Sequence, residues 1–301
     1  DQGRARVFHN RCRHRGALLA EAPCGTARSF VCPYHGWTYG LDGRLSGVSK
    51  RGSFSAEGLQ DRHLKEVASA ERHGFIWARL QGPEPVDLSR YLGPVLDDDL
   101  GAFDFESLHL LRQVEMERAA NWKLVVDAFA EGYHVPVLHR DSLSRFFESA
   151  VLFDDCSPHA RHLGARKSLA EMRDLPEKQW DLRAHTTLFY NVFPNVVLVF
   201  HPTWISQMSL FPVAVNRVRI IHRMLVATPP QNEREKAHLD RSFQLIQGRV
   251  FEREDLRMAE SIQSALPGAE DEMFLAGSQE RGLAVFHSAL QAAIASGAKL
   301  E

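Results

Sequence analysis

The sequence predicts an α+β protein of two successive domains: an all-β unit, then an antiparallel sheet wrapping a long helix. Three observations carry this. Up to about residue 82 the chain offers only short β-rich runs broken by glycine turns. Gly82-Pro83-Glu84-Pro85 then reads as a linker by composition. Beyond it, β-rich runs follow one another across short turns and lead into one long helical pattern. A length of 301 residues suits two domains, expected at 1–82 and 83–301, and an apolar fraction of 44% is enough for sizeable cores.

In the first domain, Val7-Phe8-His9, Ser29-Phe30-Val31 and Gly74-Phe75-Ile76-Trp77-Ala78 read as short strands, with Asp42-Gly43 as a turn. In the second, Leu110 to Arg118, Thr186 to Phe193, Asn195 to His201, Trp204 to Phe211 and Arg217 to Ala227 read as strands. Their short connections imply antiparallel pairing. Residues 122 to 150 read as largely helical. So do residues 232 to 266, with Leu239, Phe243, Ile246 and Val250 at helical spacing. A last helix is expected over 281 to 297, with Leu283, Phe286, Leu290 and Ile294 on one face.

Chemistry is written first at Cys12-Arg13-His14 and Cys32-Pro33-Tyr34-His35, two half-sites seventeen residues apart. Two thiolates and two imidazoles in this order are the ligand set of a Rieske [2Fe–2S] cluster, where two histidines replace two cysteines on one iron. Neutral imidazoles leave the cluster less negative, so its potential rises and single-electron delivery to a second acceptor suits it. Zinc also takes two cysteines and two histidines. Finger spacing, however, pairs Cys with Cys and His with His, whereas each half-site here mixes them. The expected cluster ligands are Cys12, His14, Cys32 and His35. Cys24 and Cys156 remain and are expected to be buried free thiols. Four cysteines with two used as ligands give no disulfide framework, which implies a reducing cytoplasm.

A second site begins at Asn121-Trp122-Lys123 and ends at Glu131-Gly132-Tyr133-His134-Val135-Pro136-Val137-Leu138-His139. Two imidazoles and one carboxylate on one face of an iron leave positions open for O2 and substrate, the non-haem Fe(II) arrangement. Residues five apart on a straight helix diverge by about 140°, so Pro136 is expected to break or kink the helix and let His134 and His139 converge. The third ligand must come from elsewhere. Asp255 and Glu254, in the long helical segment, are the two candidates.

With these motifs in place, the chain resembles the α subunit of Rieske non-haem iron oxygenases, the aromatic ring-hydroxylating dioxygenase family. The resemblance rests on the CxH…CxxH site, the NWKxxxDxxxExYHxxxxH site, and the acid helix Glu254-Asp255 through Glu260 and Gln263. The tail Glu280-Arg281-Gly282-Leu283-Ala284-Val285-Phe286-His287 adds to it. Ala17 and Tyr34 stand where respiratory Rieske proteins carry two extra cysteines, so the likeness is to the oxygenase and ferredoxin branch. It implies a helix-grip catalytic domain, with Asp255 as third iron ligand and Glu254 as the fallback. It also implies that Glu131 joins the two centres, hydrogen-bonding a cluster histidine of one subunit and an iron histidine of the next. Many members carry Asp there, one methylene shorter. Asp127 is open between supporting that network and a helix-surface role, while Tyr133 and Trp122 read as core aromatics.

The implied activity is that of a terminal oxygenase component. It would take electrons from NAD(P)H through a flavin reductase, with or without a ferredoxin, and hydroxylate an aromatic substrate with O2. One alternative is a monooxygenase that demethylates a quaternary ammonium or methoxy compound; a second is an electron carrier without turnover. A ligand-binding helix-grip module is a further rival. A head-to-tail homotrimer is implied, since cluster and iron pair between neighbours. Candidate pocket residues are Phe189, Tyr190, Phe193, Val197, Val199, Phe200, Trp204 and Met208, of which alternate ones face a core. Aromatic walls suit an aromatic ring or, through cation–π attraction, a quaternary ammonium. The family carries several dozen residues ahead of its first ligand. Here it stands at Cys12 with no initiator Met, so an N-terminally incomplete Rieske domain is expected.

Other partner classes find little support. Net charge is −2, without the clustered basic residues of a nucleic-acid-binding surface. The longest apolar run, Val196 to Phe200, is far short of a membrane span, and no secretory leader is visible.

Overall fold

The computed structural model describes residues 3–80, 85–269 and 272–296. It falls into two compact units, Asp1–Glu106 and Ser107–Glu301. The expected linker residues Gly82-Pro83-Glu84 lie outside the described residues.

The first unit holds two small antiparallel sheets. One has the order β1 (Val7–Phe8), β5 (Glu66–Arg72), β6 (Phe75–Arg79); the other runs β2 (Phe30–Val31), β3 (Thr38–Tyr39), β4 (Leu45–Gly47). A one-turn helix, α1 (Ala56–Leu59), is capped by the Ser55 hydroxyl, which accepts from Gly58 N–H. Helix α2 (Leu88–Ala102) packs on β5 and β6: Tyr91 meets Trp77, and Asp97 takes Arg72 Nε and His73 Nε2, both at 2.6 Å. Strands β3, β4 and β5 were absent from the sequence reading. The first two are only two or three residues long, and β5 (EVASAER) is too polar to signal a core strand.

The second unit is a seven-stranded antiparallel sheet. Its order is β7 (His109–Arg118), β13 (Arg217–Val226), β12 (Ile205–Ala214), β11 (Val196–Phe200), β10 (Thr186–Val192), β9 (His159–Arg166), β8 (Phe147–Cys156). The expected strands appear within a residue or two, except that the fourth runs on to Ala214. Side chains alternate faces along each strand. Val197, Val199, Met208, Leu210, Val218, Ile220 and Met224 turn to one face and form a core with Leu239, Phe243, Ile246, Val250 and Phe251 of the long helix. That helix starts at α6 (Glu233–Gln244), where the Asn232 side chain accepts from Glu235 N–H. It continues through a π-helical stretch, Leu245–Asp255, into α7 (Leu256–Ala265). The last helix, α8 (Arg281–Ala295), buries Phe286 and Leu290, and a single turn, α5 (Leu182–His185), precedes β10.

Three expectations need correction. Residues 122 to 150 are helical only at α3 (Trp122–Ala128) and α4 (Val135–Leu138), and the segment ends in β8. Pro136 does not kink a helix; it sits in the first turn of α4, where a missing N–H costs nothing. The break lies earlier, after Ala128, and it swings His134 out of α3's line. Cys24 is exposed and Cys156 only half-buried, because Cys24 lies in an exposed turn region and Cys156 ends β8. No described helix is long and apolar enough to cross a membrane.

Candidate metal centres

The two half-sites of the first unit are built alike. Cys12 N–H donates to Ala17 O and Gly16 N–H returns to Cys12 O; Cys32 N–H donates to Trp37 O and Gly36 N–H returns to Cys32 O, all at 2.8–3.0 Å. The returning glycines have φ of +83° and +67°, the left-handed region that glycine enters without strain. These turns place Cys12 and Cys32 in the core at 3% and 2% exposure. The His14 ring stacks on Trp37 and lies 4.6 Å from His35, centroid to centroid. Burial pushes the Cys32 thiol up, yet hydrogen bonding from Tyr34 N–H, Cys12 and His35 N–H outweighs it and holds its pKa below the ordinary value. Backbone N–H groups aimed at a sulfur stabilise thiolate, the form a metal needs. Tyr39 Oη lies 3.4 Å from Cys12 Sγ and accepts from Arg13 N–H at 3.0 Å. His14 Nδ1 is buried without a hydrogen-bond partner in the protein. Two buried sulfurs and an unpartnered buried imidazole nitrogen fit a [2Fe–2S] cluster.

In the second unit three side chains converge. His134 Nε2 lies 3.2 Å from His139 Nε2, and Asp255 Oδ1 lies 3.0 Å from His139 Nε2 and 3.6 Å from His134 Nε2. Ligand atoms about 2.1 Å from a shared ion and at right angles to one another would be ~3.0 Å apart. The spacing fits three adjacent positions on one octahedral face. His139 and Asp255 are buried, and Asp255 Oδ1 has no hydrogen-bond partner of good geometry.

The outer nitrogens explain the orientation. His134 Nδ1 meets Glu131 Oε1, and His139 Nδ1 meets Glu254 Oε2 at 2.6 Å. An Nδ1–H given to a carboxylate leaves the Nε2 lone pair facing inward, so each ring is held in the metal-binding tautomer. Glu131 Oε2 also accepts from Tyr133 and His134 N–H, and Ser142 Oγ–H donates to Glu254 Oε2 at 2.6 Å. Burial pulls the His139 pKa down, but Asp255 and Glu254 outweigh it and raise it. Burial likewise pushes Glu131 up, and hydrogen bonding to His134 carries it below the usual carboxylate value. Glu254 and Asp255 are thus not interchangeable: one faces the outer side of His139, the other the inner side of both rings.

Other candidates are placed differently. Asp127 pairs with His287 Nε2 at 2.9 Å and is not hydrogen-bonded to Glu131. Trp122 is a core residue, edge-on to Phe286, but Tyr133 is 62% exposed, contrary to expectation. A cavity of about 2200 Å³ opens beside the three ligand groups. Of the expected pocket residues, Phe189, Val199 and Trp204 line it, whereas Val197 and Met208 pack beneath the helix and Tyr190 meets Phe200 edge-on. Phe193 packs against Phe286. The far wall, on β9, was missed: His162, Gly164 and Arg166 face the cavity in place of an apolar stripe. The period-two signal of a strand is therefore lost there.

Comparison with known proteins finds two family models that match the chain. Residues 105–296 match the ring hydroxylating alpha subunit (catalytic domain) model, and residues 1–60 match the Rieske [2Fe-2S] domain. The glycine betaine monooxygenase oxygenase subunit of Chromohalobacter salexigens is 35% identical over 174 residues, 56% of this chain and 37% of that protein. The chloroplastic choline monooxygenase of Spinacia oleracea is 26% identical over 310 residues, 96% of this chain and 65% of that protein. The chain thus spans 37% to 65% of these two relatives' length. Among solved structures, a quaternary ammonium Rieske monooxygenase aligns with a TM-score of 0.79 at 20% identity, covering 95% of this chain and 78% of that one. Naphthalene 1,2-dioxygenase from Rhodococcus sp. aligns at 0.74 and 21%, covering 95% and 80%. At such identities these two bear on the fold alone.

Proposed function

This chain belongs to the ring-hydroxylating α-subunit family, and from that premise we propose that it is the terminal component of a Rieske oxygenase acting on a quaternary ammonium compound. The observation that carries the oxygenase reading is the convergence of His134 Nε2, His139 Nε2 and Asp255 Oδ1 beside a large cavity. An electron carrier or a binding module has no use for such a triad. In our reading Cys12, His14, Cys32 and His35 hold the [2Fe–2S] cluster, and His134, His139 and Asp255 hold the mononuclear Fe(II). When bound, the two groups supply single electrons and activation of O2.

The remaining roles belong to the protein. Glu131 and Glu254 hold the two histidine tautomers. We assign Glu131 the further task of linking His134 to the cluster histidine of a neighbouring copy in a homotrimer. A flavin reductase, with or without a ferredoxin, passes on electrons from NAD(P)H, and cysteine usage supports a cytoplasmic location. The quaternary ammonium class is favoured over an aromatic hydrocarbon by the glycine betaine and choline monooxygenases among the relatives. Phe189 and Trp204 on the cavity wall suit such a cation as well as they suit a ring.

The test is iron and acid-labile sulfide on anaerobically purified protein, then O2 uptake with a reductase and NADH. About three irons to two sulfides, with a Rieske EPR signal when reduced, is expected. Glycine betaine or choline should then stimulate O2 uptake, with formaldehyde released where an N-methyl group is the carbon hydroxylated. About two irons to two sulfides and no uptake would move the electron-carrier reading ahead.

A further inference from the structure

Arg166 lies on the cavity wall without a counter-charge. It ends β9, next to Gly164 on the cavity-facing side of the strand, opposite Phe147 of β8. Its guanidinium carbon lies 5.6 Å from the centre of the Phe146 ring and 5.2 Å from that of Phe147. Among the described residues its one hydrogen bond to another side chain runs from Nη1 to Thr187 Oγ1 at 3.5 Å, the outer limit for such a bond. Among the described residues no carboxylate comes within ion-pair distance of it. Of the carboxylates in the lining, Asp127 pairs with His287, Glu131 with His134, Asp255 with both metal-site histidines and Glu280 with Gly277 N–H, while Glu148, next to Phe147 on β8, makes no ion pair with Arg166. Burial alone moves its pKa, downward, with no acid to counter the shift. His201, on the same wall, is kept neutral first by burial and then by His222, Arg183 and Arg166.

A guanidinium has five N–H donors and stays charged in proteins. Half-burying it against aromatic rings costs free energy unless an anion completes it. Aromatic rings contact its carbon but leave most of those donors for the cavity. A carboxylate matches that fork with two parallel hydrogen bonds; an alcohol offers one weaker acceptor and no charge. A purely cationic ligand would instead be repelled.

We propose that Arg166 is the carboxylate-binding residue of this cavity, and that the substrate is a quaternary ammonium compound bearing a carboxylate, a betaine rather than an amino alcohol. The quaternary ammonium half rests on the function proposed above; the carboxylate half rests on Arg166 alone.

The experiment is calorimetric titration of the anaerobic full chain with glycine betaine, choline and benzoate. Wild type is compared with Arg166→Met, which keeps the packed stem, and Arg166→Lys, which keeps the charge. Circular dichroism and melting establish that each variant is folded. Glycine betaine should bind more tightly than choline. Arg166→Met should weaken it roughly 10- to 150-fold, the worth of a charge-assisted bond, and leave choline unweakened or tighter, since the repelling charge is gone. Arg166→Lys should recover part of the loss. Glycine betaine and choline binding alike, with neither altered in Arg166→Met, would overturn the inference. So would choline binding without either carboxylate, which would leave the quaternary ammonium reading standing. Arg166-dependent binding of benzoate without glycine betaine would do the reverse: the carboxylate site would stand and the quaternary ammonium reading would fall.

Discussion

Replacing Glu254 by Gln separates the two neighbouring acids by function. The Glu254 side chain is 14% exposed, and its Oε2 accepts from His139 Nδ1 and Ser142 Oγ, both at 2.6 Å. Gln keeps the shape and one acceptor oxygen but removes the charge. A hydrogen bond to a charged group contributes about 1.5–3 kcal/mol against about 0.5–1.5 for a neutral pair, so the His139 contact should weaken by about 1–2 kcal/mol. That loss falls on the inward-facing tautomer of His139 and hence on metal affinity, roughly 5- to 30-fold. It overlaps the 10- to 100-fold cost, roughly, of losing a group that orients a ligating histidine. The assay is total iron less cluster iron, counted from acid-labile sulfide, while a graded Fe(II) chelator competes for the mononuclear site. Asp255→Ala in the same titration should lose mononuclear iron outright and keep the cluster. Wild-type affinity in Glu254→Gln would refute the orienting role. Retention of iron by Asp255→Ala would refute the ligand assignment, and complete loss in Glu254→Gln would move that role to Glu254.

Three further outcomes are expected. Glu131→Gln should leave both metals bound but slow electron arrival at the mononuclear site, read as slower cluster reoxidation under O2 and substrate; reoxidation at the wild-type rate would remove Glu131 from the path. Tyr39→Phe deletes the hydroxyl 3.4 Å from Cys12 Sγ. Hydrogen bonds to cluster sulfurs favour the more negative reduced state, so a redox titration followed by EPR should show a lower potential, and an unchanged or higher one would refute the donation. At Gly282 an added Cβ would fall 2.0 Å from Ala130 O and 2.8 Å from His162 Cε1. Gly282→Ala must therefore displace α8 from the loop that carries Glu131, at a cost of about 1–3 kcal/mol or more, and a melting temperature equal to wild type would show that this packing is loose.

Elements that face the core on one side and a neighbour on the other were legible in the sequence. Strands β11 to β13 send Val197, Val199, Met208, Leu210, Val218, Ile220 and Met224 into the core that the long helix covers. The cluster half-sites were legible because ligand spacing is fixed by local turns, Gly16 closing one and Gly36 the other. Strands β8 and β9 were hidden for the converse reason. Their inner positions face a cavity, so His162, Gly164 and Arg166 stand where a core strand would have Val or Ile. The same substitution that hides the strand supplies the site. Pro136 was read by its commonest effect, a kink, yet the helix it would bend had already ended at Ala128.

The choice between Glu254 and Asp255 shows how a local departure from regular geometry can decide a site. Leu239, Phe243, Ile246 and Val250 repeat at four, three and four residues, an α-helical phase. On an unbroken α-helix the next inward position would fall at Arg253 or Glu254, short of Asp255. The stretch Leu245–Asp255 is π-helical instead, and its wider turn advances the inward position by one residue. The inward series becomes Ile246, Val250, Asp255, Ala259, all buried. Asp255 therefore reaches His134 and His139 on their inner side, while Glu254, about a quarter-turn away, meets the outer nitrogen of His139. Consecutive acids on one helix can serve one metal site in two ways only if the helix phase puts them on opposite sides of the same imidazole. Here the π-helical stretch sets that phase.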